Sequence, residues 1–263
     1  MNALLSDADI ERTRPNRIDP REWKLRIELA ACYRVFAHNG WSEEIFNHIT
    51  VRVPGEQTHY LINPFGLNYS EVTAHDLVKV DLEGQPVDGS DQPVNRAGFV
   101  IHSAIHAARP DAHCVIHTHH SPGVAVACKA QGLSFDNFYA AFLHDKVAYH
   151  DFEGITVHPG EQERLVRNLA DKSCLILRNH GLLTVARDIP SGYYWNYVLQ
   201  RACEIQVLAS AMPGPTLALS QEAREVSSRD GSLTDPEGQL YPKVFQAAAR
   251  RAGLTLAQLT ASD

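Results

Sequence analysis

Residues 114–123 read CVIHTHHSPG, a short apolar strand that ends in three histidines within four residues. Neutral imidazole is the commonest protein ligand for transition metals, so the cluster is either a metal site or a by-product of a histidine-rich composition. Ten of the fourteen histidines fall between His102 and His180, so the excess is local and composition alone does not explain it. On a strand, His117 and His119 leave the same face about 6–7 Å apart, close enough to share one ion, while His120 falls on the other face. A third ligand must come from elsewhere, so the fold has to bring a distant segment to the end of this strand. The best source is RNHGLL (178–183), a tight turn after another buried strand, where Gly181 lets the backbone pack closely against the site. Three imidazoles form a neutral ligand set that leaves a zinc ion an open position for water or substrate.

The 263 residues, 44% hydrophobic and 21% charged, suit one globular domain with a tail. A net charge of −7, with no Lys/Arg run beyond pairs such as Arg250-Arg251, speaks against a nucleic-acid or acidic-lipid surface. The five cysteines are odd in number, widely spaced and without a CxxC pair, which reads as buried thiols in a reducing compartment. The start lacks a signal-peptide pattern, and no stretch approaches the roughly 18 apolar residues that a membrane span needs. A cytoplasmic protein with no membrane and no nucleic-acid partner is expected.

Residues 1–18 are polar and Arg-rich without apolar periodicity and read as a mobile arm. Asp19-Pro20 opens a helix that Gly40 stops. FNHITVRV (46–53) and HYLIN (59–63), joined by PGEQ, have the pattern of an antiparallel pair. Helices are expected at 97–108, 121–132, 160–171 and about 190–211, and strands at 114–118, 147–149, 174–178 and 182–185. Such alternation by itself suggests parallel βαβ units. Residues 216–263 read as a loosely attached tail with one helix, around 242–253.

NRAGFVIHSAIHAARPDAHCVIHTH, followed about sixty residues later by LILRNHGLL and a long helix, resembles the class II aldolase/adducin family. FNHITVRVPGEQTHYLINPFGLNY and VAYHDFEG are similar to the adducin head and its bacterial relatives. The resemblance covers roughly residues 22–215, and residues 19–215 are expected to form one such domain. It implies an α/β fold, a three-layer α/β/α arrangement with a central, mainly antiparallel sheet, in place of the parallel units that the pattern suggests. It also implies one divalent metal ion per subunit, zinc first and Mn, Fe or Co as alternatives, held by His117, His119 and His180. A homo-oligomer, most often a tetramer, is implied as well.

Two departures from the aldolases matter. Their acid/base glutamate stands nineteen residues before the first metal histidine, and here that position is Gly98, with no carboxylate from Asn95 to Phe99. At the places matching their phosphate site stand Phe46-Asn47, Phe65-Gly66 and Arg96-Ala97, so an asparagine and a glycine remain but the small hydroxyls do not. Asn47, Gly66 and Arg96 are therefore expected substrate-binding residues for a non-phosphorylated small molecule, with Arg96 as a carboxylate partner or a solvated residue. His102, one helical turn after Gly98, is the expected replacement acid/base, against the bland alternative of a hydrogen-bonded core histidine. Tyr139, His144 and His150 lie where relatives place a further catalytic group, too loosely for an assignment.

Two functions are then in play. The first is a metal-dependent C–C lyase, an aldolase or decarboxylase acting on a small hydroxy, keto or aromatic acid. The second is a non-catalytic oligomeric assembly or binding module like the adducin head.

Overall fold

The computed structural model describes all residues except 1–5, 57, 155–158, 234–237 and 263, and the side chains of Arg96, Ala97, Pro159, Ser232 and Leu233 also lie outside the description. The strands are β1 His48–Arg52, β2 Tyr60–Ile62, β3 Val78–Val80, β4 Cys114–Thr118, β5 Val147–His150, β6 Cys174–Leu177 and β7 Gly181–Ala186. The helices are α1 Asp7–Thr13, α2 Pro20–His38, α3 Arg96–Ala108, α4 Ser121–Ala127, α5 Phe138–Phe142, α6 Pro159–Leu169, α7 Ile189–Ala211, α8 Gln221–Leu233, α9 Leu240–Arg251 and α10 Leu256–Leu259.

Among the described residues one seven-stranded sheet runs in the order β3-β2-β1-β4-β7-β6-β5. Every neighbouring pair is antiparallel except β5 and β6, which α6 joins as a crossover. The expectation of a mainly antiparallel sheet is met, and parallel βαβ units are confined to this one pair. The reason lies in the register: β1 pairs with β4, bringing His48 opposite His117, and β4 pairs with β7, bringing His117 opposite Leu183. Two strands far apart in sequence thus flank the histidine strand, both running antiparallel to it.

Period-2 alternation sorts the sheet residues into two layers. Cys114, Ile116, Ile49 and Val51 pack with α2 and α7, while Val115, Leu175, Leu177 and Leu183 pack with Ile101 and Ile105 of α3 and Leu165 and Leu169 of α6. The α/β/α arrangement follows, with Thr50, His48 and His117 on the α3 side. Tyr33 of α2 ties the other layer to the sheet: its hydroxyl accepts the backbone N–H groups of Ile49 and Asn63 at 3.2 and 3.1 Å.

The chain ends differ from expectation. Residues 7–13, expected within a mobile arm, form α1, held by buried Ile10 and by the Trp23 indole, which donates to Thr13 Oγ1 at 3.2 Å. The expected one-helix tail carries α8, α9 and α10, with Phe245 and Leu259 in the main core. At the N-terminal end a single buried anchor, Ile10, is a signal too sparse for periodicity to register, whereas α9 buries Tyr241, Phe245, Ala248 and Ala249 at helical spacing. Residues 1–5, 234–237 and 263 of the expected arm and tail lie outside the described residues. No helix among the described residues is long and apolar enough to cross a membrane.

Candidate functional site

The end of β4, the start of β7 and the start of α3 meet at one edge of the sheet. His117 is the penultimate residue of β4 and His119 follows it just beyond the strand, while His180 is carried on the β6–β7 turn. Asn179 takes the left-handed conformation of that turn (φ 58°), which asparagine tolerates better than most residues. Gly181 is required by space: a Cβ there would lie 2.5 Å from the Thr118 carbonyl oxygen and 3.0 Å from the His119 ring. The close backbone approach expected of this glycine is what the structure has.

The three Nε2 atoms converge. They lie 2.8 Å (His119–His117), 3.0 Å (His119–His180) and 3.3 Å (His117–His180) apart. Two tautomers are fixed from behind: His117 Nδ1–H donates to the Leu182 carbonyl at 2.9 Å, and His119 Nδ1–H donates to Glu43 Oε2 at 2.7 Å. Both rings therefore turn Nε2 inward, and three ring nitrogens this close suit one shared cation. Burial and the neighbouring imidazoles hold His117 well below its usual pKa, and the same causes place His180 at about 4, so both rings stay neutral. A divalent ion with about 2.0–2.1 Å bonds to nitrogen suits this donor set, which matches the three-histidine sites that leave a position open.

Above the trio lies a cavity of about 920 Å³, lined by His48, Gly98, Ile101, Glu43 and three phenylalanines among others. His48 is the residue that the sequence did not single out. Opposite His117 in the sheet, its ring centroid lies 5.3 Å from that of His117 and fills the space over Gly98, where a Cβ would meet its ring at 2.2–2.6 Å. Burial lowers its pKa to about 4, and its Nε2 has no protein partner. The place of the missing carboxylate is thus taken by an imidazole from another strand. The β1–β4 register carries that information, and it is not in the sequence. Glu43, which orients His119, gave no local signal either.

The expected acid/base His102 does not line the cavity. It is fully buried beneath His48, with ring centroids 4.3 Å apart, and its Nδ1 lies 2.7 Å from Thr50 Oγ1. Its helix face was read correctly but its depth was not, because His48 stands in the way. Asn47 is buried outside the lining and donates to the Trp41 carbonyl at 3.1 Å. Gly66 is exposed with φ +115° and follows the rim residue Phe65. The backbone of Arg96 opens α3 beside the lining residue Asn95, whose Oδ1 accepts the Gly98 N–H at 3.3 Å; the Arg96 side chain lies outside the described residues. Only the three histidines are brought together as expected.

The pattern of the class II aldolase and adducin N-terminal domain matches residues 27–207. A Caulobacter vibrioides protein assigned provisionally to the class 2 aldolases is 44% identical over 209 residues, 80% of this chain and 81% of that one. Mouse alpha-adducin is 46% identical over 245 residues, 88% of this chain but 33% of its own length. The solved structure of an L-fuculose 1-phosphate aldolase from Glaciozyma antarctica superposes with a TM-score of 0.76 at 30% identity, covering 93% of this chain and 97% of that one. With the sheet order, the histidine trio and these similarities in agreement, the chain belongs to the class II aldolase and adducin N-terminal domain family.

Proposed function

We propose that this chain is a divalent-metal-dependent C–C lyase, of aldolase or decarboxylase type, acting on a small non-phosphorylated hydroxy, keto or aromatic acid. The observation that carries the reading is the convergence of three imidazole Nε2 atoms, two of them on rings whose Nδ1 is engaged from behind, on the floor of a cavity. His117, His119 and His180 would hold one ion per subunit, zinc first and Mn, Fe or Co as alternatives. When bound, such an ion supplies a Lewis acid that favours the negative charge left on a chelated oxygen when a neighbouring C–C bond breaks.

The chain's own residues supply the rest. Glu43 holds His119 in the productive tautomer. His48, neutral and at the cavity wall, offers a ring nitrogen that can take or return a proton, a role the reading gives to it and not to His102. Arg96, at the start of α3, is the proposed partner of a substrate carboxylate. Gly98 brings no carboxylate, so a sugar phosphate would lack the base that the sugar-phosphate aldolases place there. We further propose a homotetramer, with an expected mass in light scattering near four times 29.2 kDa.

The identity with alpha-adducin over most of the chain favours a second reading, an assembly module without catalysis. Metal separates the two. Elemental analysis of purified protein is expected to find one divalent ion per subunit, lost with chelator and in a His117→Ala/His119→Ala variant. A screen of hydroxy, keto and hydroxylated aromatic acids, scored for CO₂ or aldehyde release, should then find a substrate, while class II sugar phosphates turn over negligibly. Absence of stoichiometric metal in the wild type would sink the enzyme reading in favour of the module.

Loss of Glu43 tests the orientation of His119. Partners behind a ligating histidine are typically worth 10–100-fold in metal affinity. Glu43→Ala should therefore surrender its ion to a competing chelator at 10–100-fold lower concentration than wild type, with folding unchanged because Glu43 is half exposed. Equal retention would show that the carboxylate does not set the ligand.

A further inference from the structure

Phe46, Phe65 and Phe152 are left 51%, 38% and 54% exposed, and all three line the cavity above the histidine trio. A scattered exposed apolar side chain needs no explanation, but three from separate segments around one mouth do. They share that edge because of the sheet: Phe46 precedes β1, Phe65 follows β2 and Phe152 follows β5, while β1 and β2 run antiparallel. Phe152 stands edge-on to His180, with centroids 6.1 Å apart and planes at 72°, so the apolar rim begins directly beside a histidine of the floor. Ile101 and Val124 extend the apolar wall. The only carboxylate of the described lining is Glu43, already engaged by His119. A cavity of about 920 Å³ is also far larger than a three- or four-carbon acid fills.

We propose that the site takes an aromatic ring carrying a metal-chelating pair of oxygens, the chelating head on the ion at the histidine trio and the ring seated against Phe46, Phe65 and Phe152. This rests on the metal-dependent reading and names the substrate class within it. Aromatic faces and edges prefer offset or edge-to-face neighbours at about 4.5–7 Å, and three ring side chains around one space supply such neighbours on several sides. A phosphorylated or multiply charged body would lie against the same apolar rim, where no lysine or arginine stands among the described lining residues.

Two chelators with one head separate the ring from the metal. On zinc-loaded wild-type protein, calorimetry should show benzohydroxamate binding about 10–100-fold more tightly than acetohydroxamate, the range expected for burying one phenyl group. Phe152→Ala and Phe65→Ala, at exposed positions where folding is retained, should each lose several-fold of the benzohydroxamate affinity and leave acetohydroxamate unchanged. Inorganic phosphate at millimolar concentration should not compete. Equal binding of the two hydroxamates, or binding of neither by protein shown to hold its metal, overturns the ring proposal and leaves the metal reading in place. Protein that takes up no zinc overturns the metal reading itself. Dissociation of the oligomer in Phe46→Ala or Phe65→Ala, with the two hydroxamates bound alike, assigns the phenylalanines to a second copy of the chain and also overturns the proposal.

Discussion

Gly98→Ala is expected to destabilise the fold by about 1–3 kcal/mol, against the ordinary preference of a helix for alanine. Gly98 lies in the first turn of α3, and its backbone is helical, so removing a glycine there would normally gain up to about 1 kcal/mol. The new Cβ, however, would lie 2.2 Å from His48 Cε1 and 2.6 Å from both ring nitrogens. A flexible side-chain end could swing away. His48 cannot, because it is buried in the sheet, packed between the His102 and His117 rings and carried on a strand paired to β4. Chemical denaturation of Gly98→Ala and of His48→Ala/Gly98→Ala tests the cause. The double variant should regain part of the loss, giving a coupling energy well above the roughly 0.5 kcal/mol scatter of independent sites. Single-variant stability at or above wild type would mean that His48 has somewhere to go. By the same geometry a carboxylate cannot be added at position 98 while His48 remains, so imidazole and glycine are one joint choice.

How much of this was readable follows the range of each interaction. The histidine pair at the end of β4 was legible because strand period, a local property, puts His117 and His119 on one face, and the N-H-G turn was legible because a glycine beside a histidine marks a close approach of backbone, here to Thr118. Helix starts with a proline, such as Pro20 after the Asp19 cap, were legible for the same reason. Strand direction was not, since helices fall between strands in either topology and only the β5–α6–β6 unit is parallel. Helical spacing correctly put His102 on the inner face of α3. Spacing says nothing of depth, and β1 supplied both the Thr50 partner and the His48 ring that covers it. His48 itself is visible only once β1 is set against β4, a pairing of residues 69 positions apart.

Acidification of the metal-free protein from pH 7 to pH 4.5 is expected to remove most of its stability, because the α3 side of the sheet buries imidazoles that must stay neutral. His106 Nδ1–H donates to the Ala112 carbonyl at 2.7 Å, leaving Nε2 to accept the Thr50 hydroxyl at 2.7 Å, and Thr50 Oγ1 then accepts His102 Nδ1–H. That chain closes only while His106 is neutral, since a proton on its Nε2 would turn the acceptor of the Thr50 hydroxyl into a donor. Burial lowers the pKa of His106 to about 3 and of His48 to about 4, and it lowers His102 and His117 in the same direction with help from neighbouring imidazoles. The sign follows: an unfolded imidazole binds its proton near pH 6.5 and these buried ones do not, so stability is full above 6.5 and falls as pH drops towards 4 and 3. At pH 4.5 His48 and His106 alone cost about 5 kcal/mol, comparable to the whole stability of many domains. Glu28 works the other way. Its pKa is raised by burial to about 7, so acidification relieves about 2–3 kcal/mol there, less than the two histidines cost before His102 and His117 are added. Urea denaturation across pH 7.5 to 4.5, with metal removed because protons and metal compete for His117, should show unfolding free energy falling steeply below 6.5. His106→Gln should be less stable at pH 7.5 yet shallower in its acid slope by about 1.4 kcal/mol per pH unit, the value of one proton. A wild-type profile that stays flat to pH 4.5 would mean that the buried rings charge where they stand.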